Sequence, residues 1–234
     1  MTATLEVPDT LTARTLPPFR DQLAALSAER SGRPIVLKGR PDLFSSGLGL
    51  SEVAGPEADA SSALAALVDC LRVLQTHDGA SIAVVEGMAA GGGLGLAAAC
   101  DVVVAGRQAR FALPELLLGL TPATIAPFVL GRIGAHRMRL MMLDGAARDA
   151  AWALENGLAD HLEEAEDLAR LIRRVTRTLA RGEGQAIRAA RAMTLPPGLG
   201  ALLEAGAQDT LARLRTETVQ ARIAAFNDGG APWA

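Results

Sequence analysis

The residues best placed to do chemistry in this chain are main-chain amides rather than reactive side chains. The stretch GMAAGGGLGLAAACD, Gly87 to Asp101, follows the apolar run SIAVVE. Glycines let a chain pass close to a ligand because no Cβ intrudes. A glycine turn that opens directly into a helix leaves its first N–H groups unpaired at the positive end of the helix dipole. Such a place favours an anion. If the anion is the transient oxygen of an enolate, the place is an oxyanion hole. A second segment, PIVLKGRPDLFSSGLGL, has the same form of strand, small-residue loop and helix. Two such loops on neighbouring parallel strands could each offer one N–H to a single oxygen. Taken alone, the glycines could also do no more than permit a tight strand-to-helix crossing.

Other chemistries fit less well. Gly93 to Ala98 matches the loose dinucleotide pattern G-x-G-x-x-A, but the strand-like DVVVAG begins three residues later. The long helix of a dinucleotide fold cannot fit there, and no acid ends a strand at the required distance. No phosphate-binding G-x-x-x-x-G-K-[ST] loop is present. Ser45 and Ser46 lack the G-x-S-x-G elbow of a serine nucleophile. His77, His136 and His161 lie in separate segments without metal-ligand spacing, and read as surface or capping residues. No metal is expected. Glu86 and Asp101 flank the glycine stretch and read as residues that end a strand or link elements.

The elements that must position those amides can be traced by pattern. ATLEV, PIVLKG, SIAVVE and DVVVAG read as strands, the last three as compact apolar runs bounded by turn residues. Helical spacing covers about Leu16 to Arg30, about Ser61 to His77, and a short helix from Leu94 to Cys100. This alternation predicts an α/β core with parallel strands. From Pro114 onward the pattern changes to short helices punctuated by Gly and Pro. A helix follows in ADHLEEAEDLARLIRRVTRTLAR, then one reaching Met193, then one from about Gly198 to Phe226. The expected division is an α/β core over 1–165 and a helical region over 166–234.

Composition sets outer bounds. A chain of 234 residues, half of them apolar, can bury one sizeable core. A net charge of -3 gives no general argument for nucleic acid or an anionic membrane. No run of 18 apolar residues suggests a membrane span, and MTATLEVPDT does not read as a signal peptide, so a cytoplasmic location is expected. Cys70 and Cys100 lack CxxC spacing and read as reduced, buried and structural.

Taken in order, VLKG, PDLFSSGLGL, VVEGMAAGGGLGLAAACDVVVAG, ARFALPELLLGLTP and GRIGAHRMRLMMLDGAARDAAWALENGLADHL resemble the crotonase (enoyl-CoA hydratase/isomerase) superfamily. The likeness covers roughly residues 34 to 165. It implies a spiral of ββα units with a helical C-terminal trimerisation region, and a homotrimer or hexamer. It implies that the N–H groups of Leu48 and Gly92 polarise a thioester carbonyl, with Ser46, Gly47, Gly91, Gly93 and Leu113 around the substrate. The thioester would be carried on the phosphopantetheine of an acyl carrier protein or coenzyme A, and no other cofactor is implied.

The resemblance also separates reaction types. Hydratases of the family use two glutamates. The first would fall at Gly95, where there is no carboxylate; the second aligns with Glu115 in LPELLLG. An acid in a first helical turn is also ordinary capping. One glutamate can take an α-proton and return it elsewhere, which suits double-bond isomerisation or syn elimination of a β-hydroxyl. GGLGL, FALPELLLGLTPATIAPF, RIGAHRMRLMML and the C-terminal GGAPW resemble the dehydratases of polyketide β-branching. Those convert 3-hydroxy-3-methylglutaryl-acyl carrier protein to its 3-methylglutaconyl form. The SSGLGL loop departs from the family's usual small residue plus acid, and the N-terminus looks shorter by about a strand pair. An isomerase or decarboxylase of the same fold, or a non-catalytic interaction subunit, are the alternatives. Arg170, Arg173, Arg174, Arg177, Arg181, Arg188 and Arg191 could receive an acidic carrier, but read better as a solvated helix face. One of Arg132, Arg137 and Arg139 could pair with a distal substrate carboxylate.

Overall fold

The computed structural model describes residues 3–29, 31–50 and 59–229, so the GGAPW likeness falls almost wholly outside the described residues. The chain begins with β1 (Ala3–Glu6), α1 (Leu16–Glu29), β2 (Ile35–Lys38), β3 (Leu43–Ser45) and α2 (Ala60–Thr76). It continues through β4 (Ser81–Val85), β5 (Met88–Ala90), α3 (Gly92–Ala99), β6 (Val102–Gly106) and β7 (Arg110–Ala112). A 3-10 turn (Glu115–Leu118) leads to α4 (Ala126–Asp144), β8 (Arg148–Asp149), α5 (Ala150–Glu155) and β9 (His161–Glu163). Four helices follow: α6 (Ala165–Leu179), α7 (Gly184–Thr194), α8 (Leu199–Leu214) and α9 (Glu217–Asn227).

The four segments read as strands are strands, and they lie parallel in one five-stranded sheet of order β1-β2-β4-β6-β9. Side chains alternate across a strand. Ile82 and Val84 therefore join Val36 and Val104 under α6, against Leu168, Leu171 and Val175. Ala83 and Val85 point the other way, into the main core with Leu37, Leu67 and Phe111. A second sheet of order β3-β5-β7-β8 was not legible as strands, because each member is only two or three residues long. Successive strand pairs β2-β3, β4-β5 and β6-β7 each send their first strand to one sheet and their second to the other. That is the expected spiral of ββα units.

The short helix α3 is buried along its whole length, as its all-apolar composition requires. In α4 the helical path breaks at Gly134, with φ 73° and ψ 164°, one of the glycines expected to punctuate the helices after Pro114. The expected single helix over 198–226 is two, because the chain turns at Arg215 and restarts at Thr216, whose hydroxyl accepts from the N–H of Val219. Leu203, Leu214, Val219 and Ile223 from these helices share the main hydrophobic cluster with the sheets. None of the helices among the described residues is long and apolar enough to cross a membrane.

Candidate active site

Gly47 follows β3 with φ 85°, a conformation that L side chains rarely adopt. A Cβ there would lie 2.7 Å from the carbonyl oxygen of Ala90 and 3.1 Å from the nitrogen of Gly92. The two glycine-bearing bends thus press together, and only glycine permits the approach. Leu48 forms an isolated parallel bridge with Leu11, in which the Leu11 N–H donates to Gly47 O (2.8 Å) and the Gly49 N–H to Leu11 O (3.0 Å). Successive amides of extended chain face opposite edges, so the Leu48 N–H points away from Leu11. Gly91, at φ 50°, caps α3 and donates to Ala112 O at 3.1 Å. Gly92 is then the first helical residue, whose N–H has no partner within the helix. Neither the Leu48 nor the Gly92 N–H has an acceptor among the described residues. Both residues line one small cavity, of about 80 Å³.

Glu115 shares that cavity. The residue opens the 3-10 turn after Pro114, and its Oε1 lies 3.1 Å from where a Gly91 Cβ would be. Part of the residue is solvent-accessible, but Oε2 is enclosed and has no hydrogen-bond partner among the described residues. Leu48, Leu64, Leu67, Leu118, Leu120 and Ile125 supply most of the apolar wall. Burial pushes the carboxyl up to about 7, only partly offset by a hydrogen bond with its own backbone. A carboxylic acid at that point can both accept and return a proton near neutrality.

No second carboxylate lines the cavity among the described residues. Position 95 is more than empty of an acid. A Cβ there would lie 2.1 Å from Ile125 Cγ2 and 2.5 Å from Ile125 Cβ, so Ile125 fills the space in which such a side chain would begin.

The other expected site residues divide. Ser46 is at the cavity, but its Oγ donates to Asp9 O (2.9 Å) and contacts Thr10 Oγ1 (3.1 Å). Gly93 instead packs on Ser45, whose Cβ would be 2.6 Å from a Cβ at 93. Leu113 is fully buried in the main core and does not line the cavity. Arg132 is not available to a substrate: it bridges Asp160 at 3.0 Å and donates to the carbonyls of Ala98 and Cys100. Arg137 and Arg139 are exposed and line no part of the cavity.

Arg170, Arg173, Arg174 and Arg177 lie exposed on α6, across the five-stranded sheet from the cavity. That placement fits a solvated face. Arg191 breaks the pattern, being buried and paired with Asp101 at 2.6 Å. His77 caps α2, as expected, but is buried rather than on the surface, held between Ser27 Oγ and Arg33 O at 2.9 Å each. Burial lowers its pKa. Cys70 and Cys100 are free and buried, and burial pushes both thiols up to about 12.

Sequence reasoning missed Thr121, Thr124 and Thr210 at the cavity. Thr210 arrives from α8, nearly a hundred residues beyond Glu115, and no local pattern marks it. A larger groove of about 940 Å³ runs between α2, α4, α7 and α8, past Phe128, Leu130 and Leu202. It contains neither Glu115 nor the free amides, so its size does not make it the reactive site.

Comparison with known proteins identifies the family. The family model described as enoyl-CoA hydratase/isomerase matches residues 2–209. The enoyl-CoA hydratase ACTT6 of Alternaria alternata is 39% identical over 117 residues, 50% of this chain and 39% of that protein. The bacillaene synthase dehydratase PksH of Bacillus subtilis is 35% identical over 140 residues, 57% of this chain and 53% of that protein. The chain thus spans about two-fifths to a half of the length of these curated relatives. An enoyl-CoA hydratase structure from Bacillus halodurans superposes with a TM-score of 0.87 over 96% of both chains, at 22% identity, which speaks for the fold. With two glycine-bearing bends meeting beside a carboxyl on the ββα spiral, and the family match extending over most of its length, the chain belongs to the enoyl-CoA hydratase/isomerase (crotonase) family.

Proposed function

We propose that the protein is a single-glutamate acyl-thioester dehydratase, acting on a β-hydroxyacyl group carried by phosphopantetheine. The carrying observation is the Glu115 carboxyl, with Oε2 enclosed and unpartnered, at the cavity lined also by Leu48 and Gly92, whose N–H groups have no acceptor among the described residues. In this reading the two N–H groups hold the thioester oxygen, with Gly47 and Gly91 setting their approach. Ionised Glu115 removes the α-proton, and the electron pair moves into the enolate held by the amides. The enolate collapses, the Cα=Cβ bond forms, the Cβ–O bond breaks, and Glu115 returns the proton to the departing oxygen as water. An interaction subunit without catalysis would have no use for an unpaired carboxyl in an apolar cavity.

The likeness to PksH, together with the absence of a carboxylate at position 95, supports 3-hydroxy-3-methylglutaryl-acyl carrier protein as substrate and the 3-methylglutaconyl form as product. A homotrimer, a carrier-protein partner and a cytoplasmic setting belong to the same proposal. One observation favours a second reading. No Lys, Arg or His lines the cavity among the described residues, which suits an uncharged acyl group and an enoyl-thioester isomerase. The test is the mass of the acyl group after incubation with 3-hydroxy-3-methylglutaryl-acyl carrier protein. Loss of one water with the wild type, and none with Glu115→Gln, is the expected result. An unchanged mass, alongside double-bond migration in a 3-enoyl thioester, would replace dehydration by isomerisation.

A further inference from the structure

Four hydroxyl side chains line the cavity, and three are already committed to the protein. Ser46 Oγ donates to Asp9 O, Thr121 Oγ1 to Asp209, and Thr210 Oγ1 to Gly206 O at 3.0 Å. Thr124 is the exception. Its side chain is almost fully buried, at 4% exposure of the residue, and Oγ1 has no partner among the described residues. A buried hydroxyl left without a partner destabilises a fold, so such groups call for an explanation. Glu115 Oε2 is in the same condition in the same cavity. Two residues with enclosed, unpartnered polar atoms at one small, mostly apolar cavity are complementary to a ligand that carries a polar group of its own.

The backbone fixes Thr124 there. Its nitrogen would be 2.5 Å from a Cβ at Gly206, so α8 closes tightly over it. The next residue is Ile125, which fills the space above Gly95. The segment that blocks a second carboxylate is therefore the one that delivers the free hydroxyl.

We infer that Thr124 is a positioning residue that donates its hydroxyl hydrogen to the β-oxygen of the substrate, holding that oxygen for protonation by Glu115. The inference rests on the dehydratase reading. Balance is unchanged: the proton taken from Cα by Glu115 leaves in water with the β-oxygen, and the Thr124 hydrogen stays on Thr124. Thr124 acts through orientation alone, so steps that involve no β-oxygen do not need it.

The test compares the wild type with Thr124→Val and Thr124→Ser on two reactions. One is dehydration of the 3-hydroxy-3-methylglutaryl and 3-hydroxybutyryl thioesters, on acyl carrier protein and coenzyme A. The other is exchange of the α-protons of butyryl-coenzyme A with deuterium oxide, which calls on Glu115 and the amides alone. Thr124→Val is expected to slow dehydration at least tenfold, leave exchange within twofold, and melt no lower than the wild type. Thr124→Ser is expected to restore most of the dehydration rate. Equal loss of both reactions in a folded Thr124→Val, or no loss of either, would overturn the role of Thr124 alone. Failure of the wild type to dehydrate any of these thioesters would remove the dehydratase reading and this inference with it.

Discussion

At the scale of the residue, Glu115 couples reactivity to stability. Its acid form is favoured in the folded state because burial penalises the charge, so its pKa rises from 4.5 to about 7. The unfolded chain therefore releases this proton at lower pH than the folded one. The sign follows: stability is fullest below pH 4.5, falls as pH rises, and the whole penalty is in place above about 7. One pKa unit is about 1.4 kcal/mol, so the penalty is on the order of 3 kcal/mol. Glu115→Gln is neutral throughout and escapes it. In denaturant titrations, the variant is expected to match the wild type near pH 4.5 and to exceed it by about 2–4 kcal/mol at pH 8. In the proposed mechanism the ionised form removes the α-proton, so kcat/KM of the wild type should rise with pH through an inflection near 7. A stability difference independent of pH would show that the carboxyl is solvated and titrates normally. That a carboxyl opens a helical turn at LPELLLG was legible in the sequence, but its enclosure was not. Leu64, Leu67, Ile125 and Thr210 come to it from distant parts of the chain, and enclosure is a property of their packing.

At the scale of the element, the site depends on how β3 and α3 meet. Two demands fall on Gly47: a positive φ, and room for the Ala90 carbonyl and the Gly92 amide. Gly32 separates them, since it has φ 75° but open space where a Cβ would be. Gly32→Ala should therefore cost only about 1 kcal/mol of backbone strain and leave turnover intact. Gly47→Ala carries the same strain and also pushes the two bends apart. If the Leu48 and Gly92 amides hold the thioester oxygen as proposed, displacing one of them costs about 3–4 kcal/mol of transition-state stabilisation. Gly47→Ala is thus expected to lower kcat by about a hundredfold or more, in a protein that still melts cooperatively. Comparable activity in the two variants would mean that these amides do not serve the reaction. The glycine pattern of both bends was readable from sequence, as were the long strands, because period and punctuation are local signals. The sheet built from β3, β5, β7 and β8 was not. Strands of two or three residues show no alternation, and their pairing is set by the spiral as a whole.

At the scale of the whole molecule, Arg191 ties the C-terminal helices to the parallel sheet. From α7 it reaches between β6 and the end of α2. Its Nε donates to Asp101 Oδ1 (2.8 Å) and its Nη2 to Asp101 Oδ2 (2.6 Å) and Gly79 O (2.8 Å). Its Nη1 donates to Gln75 O (3.1 Å) and His77 O (2.9 Å). Asp101 in turn accepts from the Ser81 N–H at 2.7 Å, joining β4 to the same network. In sequence, Arg191 is one of seven arginines at ordinary helical spacing, and only tertiary packing distinguishes it from those that face water. Its side chain is 5% exposed, so the pair is not screened as a surface bridge would be. Removing Arg191 leaves Asp101, 25% exposed and still held by Ser81, without its cation, at a cost towards the lower end of about 3–5 kcal/mol. Arg191→Met is therefore expected to lower the melting temperature by about 10 °C, on the usual scaling for a chain of this size. Arg191→Lys keeps the charge but loses the planar fork, and should fall between the two. Neither Arg191 nor Asp101 lines the Glu115 cavity, so kcat and KM measured well below the new melting point should stay within about twofold of the wild type. An unchanged melting temperature in Arg191→Met would mean that the C-terminal helices are held by their other contacts, chiefly Leu203, Leu214, Val219 and Ile223 in the main core.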